Sequence, residues 1–125
     1  MQIDINCDMG EGTGNDEALM PYITSANIAT GYHAGDKDTM RATMLLAQKH
    51  GVLVGAHPSF PDRENFGRTE MAVTPQELYH FVMLQLYAFQ EIADECGVKV
   101  HHVKPHGALY NMAARDEAMA ATLAQ

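Results

Sequence analysis

The sequence predicts an α/β protein with a parallel sheet, on three observations. Short apolar runs recur four times, at residues 2–7, 26–32, 52–56 and 98–103, each closed by Gly, Pro or acidic residues and followed by a segment of helical character. One of those segments carries a full set of helix start and stop signals. The chain of 125 residues, 46% hydrophobic and 19% charged, also has the size and composition of a single globular domain, able to bury about two-thirds of its unfolded surface. Strands that alternate with helices pair in parallel through right-handed crossovers, and such folds gather their chemistry at the C-terminal ends of the strands.

The first run alternates, with Ile3, Ile5 and Cys7 on one face and Asp4, Asn6 and Asp8 on the other. A short helix is expected over residues 16–22. The second run places Asn27, Ala29, Gly31 and His33 on one face, and Asp36 is positioned to cap a helix that buries Met40, Met44 and Ala47 and stops at Gly51. The third run aligns Leu53, Gly55 and His57. The clearest helix opens at Thr74-Pro75-Gln76-Glu77, a capping box with proline at the first helical position, and stops at Gly97. Its stripe is Leu78, Phe81, Val82, Leu86, Phe89, Ile92, Ala93 and Cys96. The fourth run aligns His102, Lys104 and His106, and a last helix is expected from Asp116 to the end.

Eight Lys and Arg against sixteen Asp and Glu give a net charge of −8, which argues against nucleic acid and anionic membranes as partners. The N-terminus has no basic region followed by an apolar one, and no segment is long and apolar enough to span a bilayer. Cys7 and Cys96 lack CxxC spacing and read as free thiols, so the cytoplasm is the expected location. Parity points Cys7 to the helix layer as a small buried hydrophobe.

Each strand therefore ends in a titratable group on its polar face. Buried carboxylates aimed into a shared interior must be protonated, paired or metal-bound. Asp with His serves equally as the ligand set of a divalent metal, with candidates Asp8, His33, His57 and His106, or as a general base for water. His50, at a helix end, and His80, on an exposed helix side, read as ordinary. Lys104 is the basic group of this face, suited to an oxyanion or phosphoryl oxygen, or to a salt bridge with Asp4 or Asp8. The long stretch of residues 57–69, HPSFPDRENFGRT, reads as a lid or substrate wall. Its Arg68 could recognise a substrate carboxylate, whereas Arg63 is expected to pair with Asp62 and Glu64 in solvent.

The stretch CDMGEGTGND at residues 7–16 lacks the lysine and hydroxyl of a phosphate-binding loop and the third glycine of a dinucleotide fingerprint. It reads as the exit of the first strand, placing Asp8 in the shared site.

DINCDMGE at residues 4–11, SANIATGYHAGD at 25–36, GAHPSFPD at 55–62, FGR at 66–68 and VKPHGALYNMAARD at 103–116 closely resemble the LamB/YcsF, or lactam-utilisation, family. The resemblance covers essentially the whole chain in order. It implies a distorted TIM-like (β/α) barrel similar to sugar deacetylases and some glycoside hydrolases. It further implies ATP-dependent opening of 5-oxo-L-proline to L-glutamate, with Mg2+ and two partner subunits, B and C. Phosphorylating the amide oxygen creates a leaving group that a base-activated water can displace. On that picture Asp8, with His57 or His106, activates water, and Lys104 stabilises the oxyanion. Asp4, Asn6, Glu11, His33, Asp36 and Arg68 bind or orient the substrate, some of them around a metal. The alternatives are a metal-dependent, deacetylase-like amidohydrolase that needs no nucleotide, and an inactive chain that only binds or docks.

A full barrel has eight units in about 250 residues. Residues 1–125 offer four, so the expectation is a single partial domain, the N-terminal half of a barrel, whose last residues ATLAQ lack helix-stop signals. A half barrel leaves edges and core uncovered, which predicts self-association or pairing with a missing half.

Overall fold

The computed structural model describes residues 3–12, 14–115, 117, 121 and 123. Strands β1 (Asn6–Met9), β2 (Ser25–Ala29), β3 (Leu53–His57) and β4 (Val100–Val103) form one sheet in the order β1-β2-β3-β4, every neighbouring pair parallel. Helix α1 (Asp16–Leu19), continued by a 3-10 turn over Met20–Tyr22, joins β1 to β2. Helix α2 (Lys37–Lys49) joins β2 to β3, α3 (Pro75–Cys96) joins β3 to β4, and α4 (Gly107–Arg115) follows β4. Each crossover advances one strand in the same direction, the layout of a partial (β/α) barrel.

The helices form where their local signals put them. The Thr74 hydroxyl accepts from the Glu77 amide at 3.1 Å while Glu77 accepts from the Thr74 amide at 3.3 Å, and α3 ends at Gly97 in the left-handed conformation. The Asp36 carboxylate accepts from the Thr39 amide at 2.7 Å and starts α2. Strand alternation then separates two faces. Cys7, Met9, Ala26, Ile28, Val54 and Ala56 meet Met40, Met44 and Ala47 of α2 and Phe89, Ile92 and Ala93 of α3 in the main core. Burial raises the Cys7 thiol pKa, in keeping with an unreactive core cysteine. A second cluster of Phe60, Leu78, Val82, Ala108 and Leu109 ties the segment after β3 to α3 and α4.

Gln85 interrupts the apolar stripe of α3, and the stripe's periodicity gives no hint of its burial. Its Oε1 accepts from the Thr30 hydroxyl at 2.6 Å and the Ser59 amide at 3.0 Å. Its Nε2 donates to the carbonyls of Ser59 at 2.9 Å and Phe81 at 3.1 Å. All of its hydrogen-bonding capacity is met, which makes a buried amide tolerable and pins the exits of β2 and β3 to α3.

Several expected boundaries move. β1 occupies Asn6–Met9 rather than residues 2–7, because ladder pairing with β2 begins only at Asn6 opposite Ser25. Ile3 and Ile5, expected on a buried face, precede the ladder and are 70% and 52% exposed. β2 stops at Ala29, where Thr30 turns to Gln85 and Gly31 takes φ 99°. Ahead of the helix expected from Asp116, an unexpected one, α4, occupies Gly107–Arg115. Ala108, Leu109, Met112 and Ala113 form a stripe against the second cluster, and the Ala108 amide donates to the Gly67 carbonyl at 3.0 Å. Most of residues 116–125 lie outside the described residues; 117, 121 and 123 are helical.

One irregularity shapes the polar face. Between β3 and β4 the register jumps from Val54 opposite Val100 to Gly55 opposite His102, leaving His101 as an extra residue. The His102 ring lies directly over Gly55, where any Cβ would stand 2.2 Å from its Nε2.

Candidate functional site

On the polar face, β1, β2 and β4 build a hydrogen-bonded ladder. His102 Nε2 donates to Asn27 Oδ1 at 2.6 Å, and Asn27 Nδ2 donates to Asn6 at 3.0 Å and to Asp8 Oδ1 at 3.2 Å. Lys104 Nζ donates to the same Asp8 oxygen at 3.2 Å, and Asp8 Oδ2 lies 3.5 Å from His57 Nε2. The neighbouring His57 and the Lys104 ammonium hold the Asp8 carboxyl well below the usual carboxylate range, against the opposing effect of its partial burial. Asp8 is therefore ionised and only weakly basic.

Above this ladder, at the C-terminal strand ends, Glu11, His33, His57 and His106 converge, with one potential ligand atom from each lying within 4.8 Å of all the others. All three histidines are buried, and the Glu11 side chain is 9% exposed. His33 Nε2 and Glu11 Oε2 are 2.6 Å apart, and the His33 and His106 rings stack at 3.7 Å. The ring of Phe66 stands edge-on to both at 5.1 Å. Gly67 makes room for this stack, since a Cβ there, at φ 71°, would come within 2.8 Å of the His33 Cβ and 3.0 Å of His106 Cδ2.

Backbone carbonyls set the proton positions. His57 Nδ1 is 2.6 Å from the Lys104 carbonyl, and His106 Nε2 is 2.7 Å from the Phe66 carbonyl. A carbonyl oxygen only accepts, so those two nitrogens carry the protons. The inward nitrogens, His57 Nε2 and His106 Nδ1, then face each other at 3.0 Å, each carrying a lone pair in the neutral form of its imidazole. Burial, together with the adjacent His33, lowers the His106 pKa and keeps that ring neutral at neutral pH.

A cavity of about 330 Å3 opens beside this group, lined by Asp8, His57, Arg68, Lys104, His106 and α4 residues including Tyr110 and Asn111. Of the residues singled out in the sequence, Asp8, Glu11, His33, His57, Lys104 and His106 come together, Asn6 sits one rung below, and Arg68 lies on the rim with its guanidinium over Phe66 at 5.2 Å. Asp4 does not join them. It precedes β1 and accepts from the hydroxyls of Thr24 and, at 2.9 Å, Ser25, at the opposite end of β2. Asp36 is exposed and occupied as the cap of α2. Arg63, expected to pair with Asp62 and Glu64, donates instead to the carbonyls of Gly31 at 2.8 Å and Gly35 at 2.6 Å, joining two loops. Asn27, His102 and Phe66 join the site without having been expected there. Strand parity marks the first two, whereas the role of Phe66 depends on its carbonyl, which no side-chain pattern reports.

Parallel β/α units with carboxylates, histidines and a lysine at the C-terminal strand ends define the class: a barrel-type α/β protein with a polar pocket at those ends. The sequence model of the LamB/YcsF family matches residues 3–125, and the chain belongs to that family. It is 54% identical over 128 residues to the 5-oxoprolinase A subunit of Bordetella pertussis strain Tohama I, a match covering 98% of this chain and 51% of the relative. The 5-oxoprolinase A subunit of Bordetella parapertussis strain 12822 matches with the same figures: 54%, 98% and 51%. The crystal structure of a lactam utilization protein from Thermus thermophilus superposes with a TM-score of 0.96 at 44% identity, covering 99% of this chain and 52% of that one. The chain thus spans about half the length of these relatives. Among the described residues, no helix is long and apolar enough to cross a membrane.

Proposed function

We propose that this chain is the N-terminal half of a 5-oxoprolinase A subunit, opening the lactam of 5-oxo-L-proline to L-glutamate with hydrolysis of ATP, alongside the B and C subunits. The names of its relatives support the substrate. The observation that carries the reading is the cavity of about 330 Å3, where Asp8, His57, Lys104 and His106 meet Arg68. That volume suits a small ring with one carboxylate.

Arg68 binds the substrate carboxylate in this reading, and the lactam carbonyl points toward Lys104. An amide carbonyl is a poor electrophile, so its oxygen takes the terminal phosphoryl group of ATP, delivered with Mg2+. Water then adds to the activated carbon, and the C–N bond breaks to leave a free amine and an acyl phosphate. A second water releases phosphate and glutamate. Asp8 is too weakly basic to take the water's proton by itself. It orients the water beside the inward nitrogens of His57 and His106, which take up the proton or hold the group that does, and Lys104 neutralises the developing oxyanion.

The test is glutamate release from 5-oxoproline by the chain alone, with ATP, and with ATP plus the partner subunits. Release only in the complete mixture supports the proposal. Release without nucleotide that stops on chelation replaces it with a metal-dependent amidohydrolase. A folded oligomer inert in every mixture leaves a binding or docking chain.

A further inference from the structure

We propose that Glu11, His57 and His106 bind one divalent transition-metal ion, with His33 as the residue that positions Glu11. The inference rests on the proposed function for the purpose of the site; its geometry stands independently. Two buried lone pairs aimed at each other across 3.0 Å repel unless a proton or a cation lies between them, and the carbonyls of Lys104 and Phe66 prevent either ring from turning its proton inward. The third group facing that point is a carboxylate oxygen, with Glu11 Oε2 3.5 Å from His106 Nδ1 and 3.9 Å from His57 Nε2.

These separations suit a metal. Ligand atoms bonded at about 2.0–2.1 Å in a tetrahedral site lie about 3.3 Å apart, and the three observed separations of 3.0, 3.5 and 3.9 Å bracket that value. Two imidazoles and one carboxylate with a position left open form the donor set of catalytic zinc and of related divalent ions. The outer nitrogens of both rings already donate to backbone carbonyls, the arrangement that fixes imidazoles as ligands. At 2.6 Å, His33 Nε2 is too near Glu11 to share an ion with it as the structure stands, so it donates to the carboxylate and aims it. Asp8, 3.5 Å from His57 Nε2, stands on the cavity side, where an ion-bound water would meet it.

The experiment is titration of the chelator-treated chain with Zn2+ at neutral pH by calorimetry, with Co2+ absorption reporting coordination number. One ion per chain at micromolar affinity or tighter is expected, with visible bands of a four- or five-coordinate site. Glu11→Gln and His57→Gln, checked for folding by circular dichroism, should each weaken binding at least 100-fold, and His33→Gln about 10- to 100-fold. His101→Gln should change nothing; it removes one member of an exposed imidazole pair whose Nδ1 atoms meet at 3.1 Å, the rival location. Absence of stoichiometric binding by the wild-type chain overturns the proposal, as does binding that survives Glu11→Gln or is lost in His101→Gln. Ion binding without lactam hydrolysis in the complete mixture rejects the proposed function alone. Hydrolysis by a chain that binds no ion rejects this inference alone.

Discussion

Asp4 and Asp8 lie four residues apart with the same strand parity, and the two ends of the sheet use them differently. Asp4, before β1, is exposed and held by the neutral hydroxyls of Thr24 and Ser25. Asp8, inside β1, is partly buried between His57, Lys104 and Asn27. The contrast follows from chain direction. Short turns enter the strands, while residues 30–36 and 58–73 leave them and can fold distant side chains back over the strand ends. One end closes with hydroxyls; the other collects carboxylates, imidazoles and an ammonium.

The sharpest way to break this contrast is to neutralise each carboxylate. On the proposed function, Asp8→Asn should lower the rate of 5-oxoproline hydrolysis in the complete mixture by about 10²-fold, the cost of misplacing a reacting water. Asp4→Asn should leave kcat within about twofold. Comparable losses from both would mean that the two ends are functionally one site.

The next effect concerns how the C-terminal end of the sheet is anchored. Gln85→Met keeps the volume but strips partners from the Thr30 hydroxyl and from the Ser59 amide and carbonyl. At about 1–3 kcal/mol for each buried group left unpaired, with partial relaxation, a loss of about 2–4 kcal/mol is expected in urea denaturation. A loss under about 1 kcal/mol would show that the exits of β2 and β3 are held by packing alone.

Gly67→Ala tests the histidine stack. It combines the strain of a left-handed backbone, about 1–3 kcal/mol, with a Cβ within 3.2 Å of Ser59 and closer to His33 and His106. Gly12→Ala, at φ 80° with nothing within 4 Å, carries the strain without the contacts. Gly67→Ala should therefore destabilise more and also weaken Zn2+ binding, whereas Gly12→Ala should leave binding unchanged.

The elements with local causes were legible in the sequence. The capping box at Thr74, the N-cap at Asp36 and the period-two alternation of Cys7 against Asp8 each act within a few residues, and α2, α3 and the polar face formed accordingly. The clustering of Asp8, His33, His57, Lys104 and His106 followed from parallel topology. What alternation does not decide is which end of a strand a residue occupies, so parity alone groups Asp4 with Asp8. Nor could it show that Glu11, just past the end of β1, folds back among the histidines. The start of α4 is not legible in the sequence because its stripe of Ala108, Leu109, Met112 and Ala113 is short and packs on residues far away in sequence.

The smallest expected effect is electrostatic and sits at the quiet end. Hydrogen bonds from Thr24 and Ser25 lower the Asp4 pKa below its ordinary value of 3.8. A carboxyl whose folded pKa is depressed contributes stability that is fully present above the unfolded value, about 3.9, and is lost as the pH falls through the folded pKa. The stability difference between wild type and Asp4→Asn should therefore stay constant through neutral pH and shrink only below about pH 4. Carboxyl NMR titration gives the direct reading: Asp4 should titrate below 3.8, and Ser25→Ala, which removes one of the two donating hydroxyls, should move it back upward. An Asp4 that titrates at its ordinary value in both proteins would mean that solvent, rather than the hydroxyl pair, satisfies this carboxylate. The two ends of the sheet would then differ in burial alone.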